Sequence, residues 1–141
     1  MEVNLIDFDE HGDDRGTLIA LEQNHNIPFE IKRVYYMYGT GAGVRRGYHA
    51  HKKLKQVLIC VHGECKILLD NTEEKTEVLL DTPNRGLLIE SEVWREMYDF
   101  SSDAVLMVLA SELYDESDYI RNYDDFVQYM QKKENNNGYS I

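Results

Sequence analysis

Long apolar segments are missing from this sequence, which limits the classes of protein it can encode. No stretch of about 18 consecutive apolar residues, the length needed for a transmembrane helix, is present. Residues 1–16 have no basic start followed by an apolar run, which is the pattern of a secretory signal peptide. We therefore expect a cytoplasmic protein that has no membrane partner.

Positive charge is also scarce. The 141 residues include 15 lysines and arginines against 26 aspartates and glutamates, which gives a net charge of −11. Nucleic acids attract basic surfaces because of their phosphate backbone, so we expect no nucleic-acid partner. A small anionic ligand is still compatible with this charge, because arginines inside a pocket act at short range and salt screens distant carboxylates within about 10 Å.

Only two cysteines are present, Cys60 and Cys65. Their spacing is not that of a CxxC motif, and the sequence offers no sign of an oxidising compartment. We predict that both are buried thiols rather than a disulfide.

Short segments rich in β-branched and aromatic residues follow one another along most of the chain, which is typical of strands. We predict a single all-β domain over residues 1–134, built as a sandwich or barrel. The segment 9–16 has the composition of a turn-rich loop. Apolar residues recur at helical spacing in 117–133, which predicts a short C-terminal α-helix, and residues 135–141 are expected to form a flexible tail. The predicted strands are 4–8, 17–23, 30–39, 55–61, 64–70, 76–81, 87–91, 92–100 and 103–111.

Two histidines, His49 and His51, stand two positions apart before an apolar run. Residues two apart in a strand point to the same face, so both imidazoles would enter one cavity if that face lines a barrel interior. The pair also follows a glycine-rich segment, 40–47, that contains two arginines. This context favours a functional pair over two structural histidines.

The segment resembles the first cupin motif, G-x5-H-x-H-x3,4-E-x6-G, through Gly43, His49, His51 and Gly63. This resemblance implies a double-stranded β-helix, the jelly-roll barrel of cupins. Two metal ligands of the usual cupin set are missing, because Gln56 (or Lys55) occupies the glutamate position and Arg95 occupies the histidine position of the second motif. Glutamine is a poor ligand and arginine a permanent cation. We therefore predict that no metal is bound and that the histidines transfer protons, for which a pKa near 6.5 is suitable.

Arginines surround the histidine pair in the sequence, and arginine binds phosphate oxygens as a bidentate fork. On the predicted strand 30–39, Arg33 and Tyr35 share one face. Arginine with tyrosine at a barrel mouth suggests a ligand that has a diphosphate and a flat base. The candidate arginines are Arg15, Arg33, Arg45, Arg46 and Arg95.

Residues 5 to about 130 resemble the dTDP-4-keto-6-deoxyglucose 3,4-ketoisomerases, a cupin family of bacterial sugar-nucleotide pathways. The resemblance implies a dTDP-linked 4-keto-6-deoxy sugar as substrate, no cofactor, and proton transfer by His49 and His51. It also implies a homodimer of small barrels that exchange an N-terminal strand. Arg15, Arg33 and Arg46 would then hold the diphosphate, with Tyr35 near the sugar or base. The resemblance is carried by RGTLIALEQNHNIPFEIKRVYYMYGT, RRGYHAHKKLKQVLICVHGECKILLD, VWREMYDFSSDAVLMVLAS and YDESDYIRNYDDF.

The implied reaction moves a ketone from C4 to C3 of the hexose. We expect His49 to remove the C3 proton, His51 to assist transfer between the two oxygens, and Arg95 or a tyrosine to stabilise the enediolate. Some family members have histidine where this chain has Arg95, which favours the gluco product over the galacto product here.

Three other functions are compatible with parts of the pattern. A dTDP-sugar 3,5-epimerase would begin with the same proton removal beside the ketone. A non-catalytic nucleotide-sugar-binding cupin would use the arginines but not two imidazoles. A metal-dependent cupin oxygenase is disfavoured by Gln56 and Arg95.

Overall fold

Two antiparallel β-sheets face each other across one apolar core. The computed structural model describes residues 1–138 of the chain. One sheet has the strand order β1-β9-β6-β11-β4, the other has the order β12-β5-β10-β7-β8, and β2 and β3 form a separate hairpin. The strands are β1 Asn4–Asp7, β2 His11–Asp13, β3 Gly16–Leu18, β4 Arg33–Met37, β5 Arg46–His51, β6 Gln56–His62, β7 Cys65–Asp70, β8 Lys75–Leu80, β9 Arg85–Ile89, β10 Trp94–Tyr98, β11 Val105–Ala110 and β12 Tyr119–Ile120.

Alternation of side chains along the strands fills the space between the sheets. The inner faces meet in an apolar cluster that includes Leu58, Ile67, Leu87, Leu106 and Val108, all almost fully buried. Two five-stranded antiparallel sheets around one core form a jelly-roll barrel. The predicted all-β, cupin-type fold is therefore confirmed. Cys60 and Cys65 also lie in this core as free thiols, as predicted.

The outer face of each sheet is covered by a different part of the chain. The segment between β3 and β4 contributes Ile27 and Phe29, which pack with Val57 and Ile59 on the first sheet. Helix α1, Tyr123–Gly138, packs Phe126 against Trp94 on the second sheet, with ring centroids 5.9 Å apart. Within residues 1–138 no helix is long and apolar enough to cross a membrane.

The C-terminal helix begins later than its apolar spacing predicts, which corrects the expected range of 117–133. A 3₁₀ turn, Glu116–Asp118, comes first, and Asp115 caps it by accepting from the Ser117 amide at 3.0 Å. The next two residues then pair with the edge of β5 as strand β12. Pairing with an open sheet edge thus outweighs helical periodicity here. Residues 135–138, expected to be a flexible tail, form the end of α1, and 139–141 lie outside the described residues.

The region around the first hairpin also differs from its prediction. The segment 9–16, expected to be a loop, contains β2 and the start of β3, whereas the strand predicted over 17–23 ends at Leu18. The reason is local, since the Asn26 side chain accepts from the Glu22 amide and donates to the Ala20 carbonyl, both at 2.7 Å. These side-chain bonds satisfy the backbone without a strand partner.

Candidate active site

Strand β5 carries the histidine pair on the inner face of its sheet. His49 lies opposite Arg95 of β10, and the register shifts between Arg95 and Glu96 to form a bulge. Gly47 has a φ of 91°, and a Cβ there would lie 2.8 Å from the Arg95 carbonyl oxygen, so only glycine fits. The Gly47 carbonyl, in turn, lies 3.0 Å from His49 Nδ1. The bulge therefore sets the orientation of the His49 ring.

Each imidazole has an acceptor beside Nδ1, which determines its tautomer. A carbonyl oxygen can only accept, so His49 Nδ1 carries the proton that it donates to Gly47. His51 Nδ1 donates in the same way to Asp118 Oδ2 at 3.1 Å. Both Nε2 atoms are buried and have no hydrogen-bond partner among residues 1–138. In these tautomers each Nε2 presents a free lone pair that can accept a proton.

Burial keeps both rings neutral. The His49 side chain is 8% exposed and His51 is fully buried, and their ring centroids are 5.0 Å apart. Burial, followed by the positive charge of Arg95, lowers the pKa of His49 to about 4 and that of His51 to about 2. The Asp118 carboxylate that accepts from His51 Nδ1 also accepts from the backbone amides of Lys53 and Leu54. At neutral pH the pair therefore consists of two uncharged bases.

Tyr119 packs against both rings, with centroid distances of 5.1 Å to His49 and 4.3 Å to His51. It lies on β12 directly opposite His51, so the short strand brings the tyrosine onto the pair. The Arg121 guanidinium stacks over Tyr119 at 4.2 Å and forms two hydrogen bonds to Glu116, at 2.7 and 2.9 Å. This segment thus forms one wall of the site.

Arg95 is completely enclosed beside the histidines. Its Nη1 donates to Gln56 Oε1 and its Nη2 donates to the Val93 carbonyl at 3.0 Å. Gln56 Nε2 donates to the Tyr35 hydroxyl at 2.9 Å. Burial lowers the pKa of Arg95 to about 10 and raises that of Tyr35. The site therefore holds a buried cation and a protonated phenol at neutral pH.

A cavity of about 420 Å³ opens over this group, within the size range of small-molecule sites. His49 lies on its wall, and fully buried His51 lies behind it. The Arg33 guanidinium stacks on Tyr35 at 5.0 Å and on Tyr114 at 5.6 Å, and its buried Nε and Nη2 have no partner within residues 1–138. The lining residues are Arg33, Val34, Tyr35, Met37, Arg46, Gly47, His49, Met97, Tyr114, Tyr119 and Arg121.

Most of the residues predicted for the site come together here, but Arg15 and Arg45 do not line the cavity. Arg33, Tyr35, Arg46 and His49 line the cavity, with His51 and Arg95 adjacent to them. Arg15 instead lies exposed in the β2–β3 turn, 2.5 Å from Asp13, and does not line the cavity.

The site also contains residues that sequence reasoning did not assign to it. Three of them, Asp118, Tyr119 and Arg121, lie in the segment for which a helix was predicted. Their signal was the density of tyrosine, arginine and carboxylate in YDESDYIRNYDDF. Arg45 is the opposite case, because it was a candidate arginine but lies outside the cavity lining. It pairs with Glu96 at 2.7 Å and stacks on Tyr98.

The positions of the missing cupin ligands do not suit a metal ion. The Gln56 oxygen already accepts from the Arg95 guanidinium, which brings a permanent positive charge next to the histidines. Within residues 1–138 no group of three or more histidines, cysteines, aspartates or glutamates is arranged to hold a metal. The described side chains at these two positions, an engaged amide and a guanidinium, are therefore poor metal ligands.

Comparison with known proteins identifies the family of this chain. The family model described as FdtA (WxcM-like, C-terminal) matches residues 1–131. The TDP-4-oxo-6-deoxy-alpha-D-glucose-3,4-oxoisomerase of Aneurinibacillus thermoaerophilus is 54% identical over 132 residues, which cover 94% of this chain and 95% of that protein.

Solved structures of 3,4-ketoisomerases are similar to this chain in both sequence and fold. A 3,4-ketoisomerase from Helicobacter canadensis is 48% identical with a TM-score of 0.90, over 93% of this chain and 98% of that one. A second structure is a histidine-to-asparagine variant of the 3,4-ketoisomerase QdtA from Thermoanaerobacterium thermosaccharolyticum, in complex with TDP-4-keto-6-deoxyglucose. It is 49% identical with a TM-score of 0.90, and the match covers 92% of this chain and 94% of that one. The rmlC epimerase of Mycobacterium tuberculosis shares the fold alone. It is 18% identical with a TM-score of 0.72, and the match covers 86% of this chain and 72% of that one. This chain is therefore an isomerase that belongs to the FdtA family (WxcM-like, C-terminal), the sugar-nucleotide 3,4-ketoisomerases that its motifs resemble.

Proposed function

We propose that this enzyme converts dTDP-4-keto-6-deoxy-D-glucose into a dTDP-3-keto-6-deoxyhexose, with His49 as the base. The observation that carries the proposal is the unpartnered Nε2 of neutral His49 on the wall of a cavity that also presents Tyr35 and three arginines. The 54% identical relative is named for the same reaction, and QdtA has been solved with this keto sugar.

The C4 ketone acidifies the proton on C3, and His49 Nε2 removes it. The electrons of the C3–H bond form a C3–C4 double bond, and O4 becomes an enediolate oxygen that then gains a proton. Loss of the O3 proton and delivery of the proton from the His49 imidazolium to C4 leave the ketone at C3. No electrons enter or leave the sugar, so no redox cofactor is needed.

We assign the remaining roles by chemistry and position. The second neutral base, His51, serves the proton transfer between O3 and O4. The Arg95 cation and the Tyr35 phenol stabilise the enediolate, and preorganised donors of this kind contribute several kcal/mol in enzymes. Positioned acid–base groups contribute typically about 10²–10⁴-fold.

His49→Asn tests the base directly. The variant should bind TDP as the wild type does but lose turnover of the keto sugar, followed by NMR. In D₂O the wild-type product should carry deuterium at C4 to the extent that the His49 imidazolium exchanges its proton with solvent before it protonates C4. The same change at exposed His25 is the matched control and should retain activity. Near-normal turnover by His49→Asn would exclude this histidine as the base.

The same NMR experiment separates the competing functions. A 3,5-epimerase would return deuterium to C3 or C5 and leave the ketone at C4. A non-catalytic binding protein would take up TDP in a titration and leave the sugar spectrum unchanged. Either result would contradict the ketoisomerase proposal.

We propose that Arg33 and Arg46 bind the diphosphate, with Tyr35 close to the sugar or base. The buried donors of Arg33, Nε and Nη2, support this because an anion would give them acceptors. Arg33→Met should raise the Kd for TDP about 10–100-fold, which corresponds to one charge-assisted bond. Arg85→Met is the control and should leave the Kd unchanged. Arg85 pairs with Asp7 of β1 and does not line the cavity.

We further propose that the product has the gluco configuration at C4. The support is the buried cation Arg95 directly opposite His49, at a position where some relatives resembling this chain have histidine. A gluco product would show a large H4–H5 coupling in its proton spectrum, and a galacto product a small one. Arg95→His should increase the galacto fraction. A small coupling in the wild-type product would reverse the assignment.

We also propose a homodimer that exchanges its N-terminal strand. Strand β4 lies at the edge of its sheet, and exposed apolar side chains follow it. Val34 and Tyr36 on its outer face are 52% and 64% exposed, and Tyr38 just after the strand is 71% exposed. An open edge with large apolar side chains favours pairing with another chain. Tyr36→Glu should shift the sedimenting species to a monomer, whereas Leu79→Glu on the opposite sheet edge should not.

Arg15 lies away from the cavity of its own chain. Strand exchange would bring it to the cavity of the partner. Mixing Arg15→Met with His49→Asn should then restore part of the activity, because one hybrid site retains both residues. If the mixture stays as inactive as its components, Arg15 has no role across the dimer.

A further inference from the structure

The hydrogen bonds from Arg95 through Gln56 to Tyr35 run in one direction. A guanidinium can only donate, so the Gln56 oxygen must face Arg95. The Gln56 amide nitrogen, which can also only donate, must then face the Tyr35 oxygen, 2.9 Å away. Gln56 cannot be reversed without setting two donors against each other at a buried cation.

This direction leaves the Tyr35 proton free. Its hydroxyl oxygen accepts from Gln56, and no acceptor among residues 1–138 takes its proton. Tyr35 lines the cavity, and its raised pKa keeps the phenol protonated at neutral pH. The proton is therefore available to a ligand in the cavity.

We propose that Gln56 is a positioning residue that sets the polarity of the Tyr35 hydroxyl, so that this hydroxyl donates to the oxygen on which negative charge develops. The inference rests on the proposed ketoisomerase function and extends it to Gln56, a buried residue outside the cavity lining. It also gives a reason for an amide at this position. A carboxylate would accept the Tyr35 proton and turn the donor away from the cavity.

Gln56→Glu exchanges the amide nitrogen for an oxygen and reverses this bond. The variant should fold, because the introduced carboxylate would form an ion pair with the buried Arg95 guanidinium in place of a hydrogen bond to a neutral amide. We expect kcat to fall about 10²–10³-fold, the usual effect of losing one oxyanion donor. The Kd for TDP should stay at its wild-type value. Gln128→Glu, the same change at an exposed position of α1, should leave kcat unchanged.

A double-mutant cycle with Tyr35→Phe separates polarity from simple repulsion between the introduced carboxylate and the enediolate. If Gln56 acts through the hydroxyl, Gln56→Glu should cost almost nothing further in the Tyr35→Phe background. An equal loss of kcat in both backgrounds would overturn the inference. If Gln56→Glu does not fold, Gln56→Met serves in the same cycle, since it removes the donor while keeping the bulk.

The wild-type enzyme is assayed in the same series. Absence of a 3-keto product from wild type would overturn the proposed function and, with it, the role of Gln56. An active wild type whose kcat survives Gln56→Glu would overturn only the inference about Gln56.

Discussion

His51 Nδ1 lies 3.1 Å from Asp118 Oδ2, so a carboxylate at the end of the 3₁₀ turn fixes the tautomer of the deepest imidazole in the site. The same carboxylate accepts from the amides of Lys53 at 2.8 Å and Leu54 at 3.2 Å. The Asp118 side chain thus links the turn after β5 to the segment that leads into β12 through hydrogen bonds. The orientation of His51 and the position of Tyr119 depend on the same anchor.

Asp118→Asn should therefore impair catalysis more than folding. If the amide NH₂ group faces His51, it forces Nδ1 to accept and moves the ring proton to Nε2, which removes the free lone pair. We expect kcat to fall about 10²-fold or more, within the range for one acid–base group. The free energy of unfolding in urea should fall by about 1–3 kcal/mol, because backbone bonds to the carboxylate weaken. Asp124→Asn on α1 is the control, and unchanged kcat in Asp118→Asn would refute this role.

The pH dependence of turnover should reflect the lowered pKa of His49. A base acts in its deprotonated form, so activity is lost as the pH falls through the pKa of the free enzyme. Because burial and Arg95 lower that pKa to about 4, kcat/KM should stay level from pH 8 to about pH 5 and decline only below it. An acid limb centred near 6.5, the pKa of an ordinary histidine, would contradict this account.

Stability should also depend on pH through the buried imidazoles. The folded-state pKa of His51 is about 2, below the value near 6.5 in an unfolded chain, so only the unfolded state binds the proton between these values. The free energy of unfolding therefore falls as the pH drops below 6.5. In His51→Gln this fall should be smaller by about 1.4 kcal/mol per pH unit between pH 6 and pH 4, measured by urea unfolding. Parallel curves for the two proteins would exclude burial of a neutral His51.

The parts of the site that were predicted follow from local rules. His49 and His51 share a face because strand residues alternate, and Arg33 and Tyr35 share theirs for the same reason. Gln56 and Arg95 were identified because they occupy ligand positions of a resembled motif. Each of these signals lies within one strand or one short motif, so the sequence contains it directly.

The residues that were missed depend on contacts between distant segments. Asp118 and Tyr119 lie in a stretch whose apolar spacing suits a helix, and only the open edge of β5 makes it a strand. Arg15 was predicted to be one of the phosphate-binding arginines, but its place in a hairpin turn depends on pairing between β2 and β3. Edge pairing is a tertiary event that periodicity within one segment does not encode.

Gly47→Ala should disturb the site through the backbone. A methyl group there would meet the Arg95 carbonyl oxygen at 2.8 Å, at a φ of 91° that other residues rarely adopt. We expect a loss of about 1–3 kcal/mol in the free energy of unfolding, the usual cost of such a conformation. Because the Gly47 carbonyl is the acceptor for His49 Nδ1, kcat should also fall, and a misplacement of about 1 Å costs up to about 10²-fold. In Gly43→Ala, where nothing lies within 4 Å of the added Cβ and the φ is not positive, both quantities should stay near wild type. Equal behaviour of the two alanine variants would show that the bulge does not orient the base.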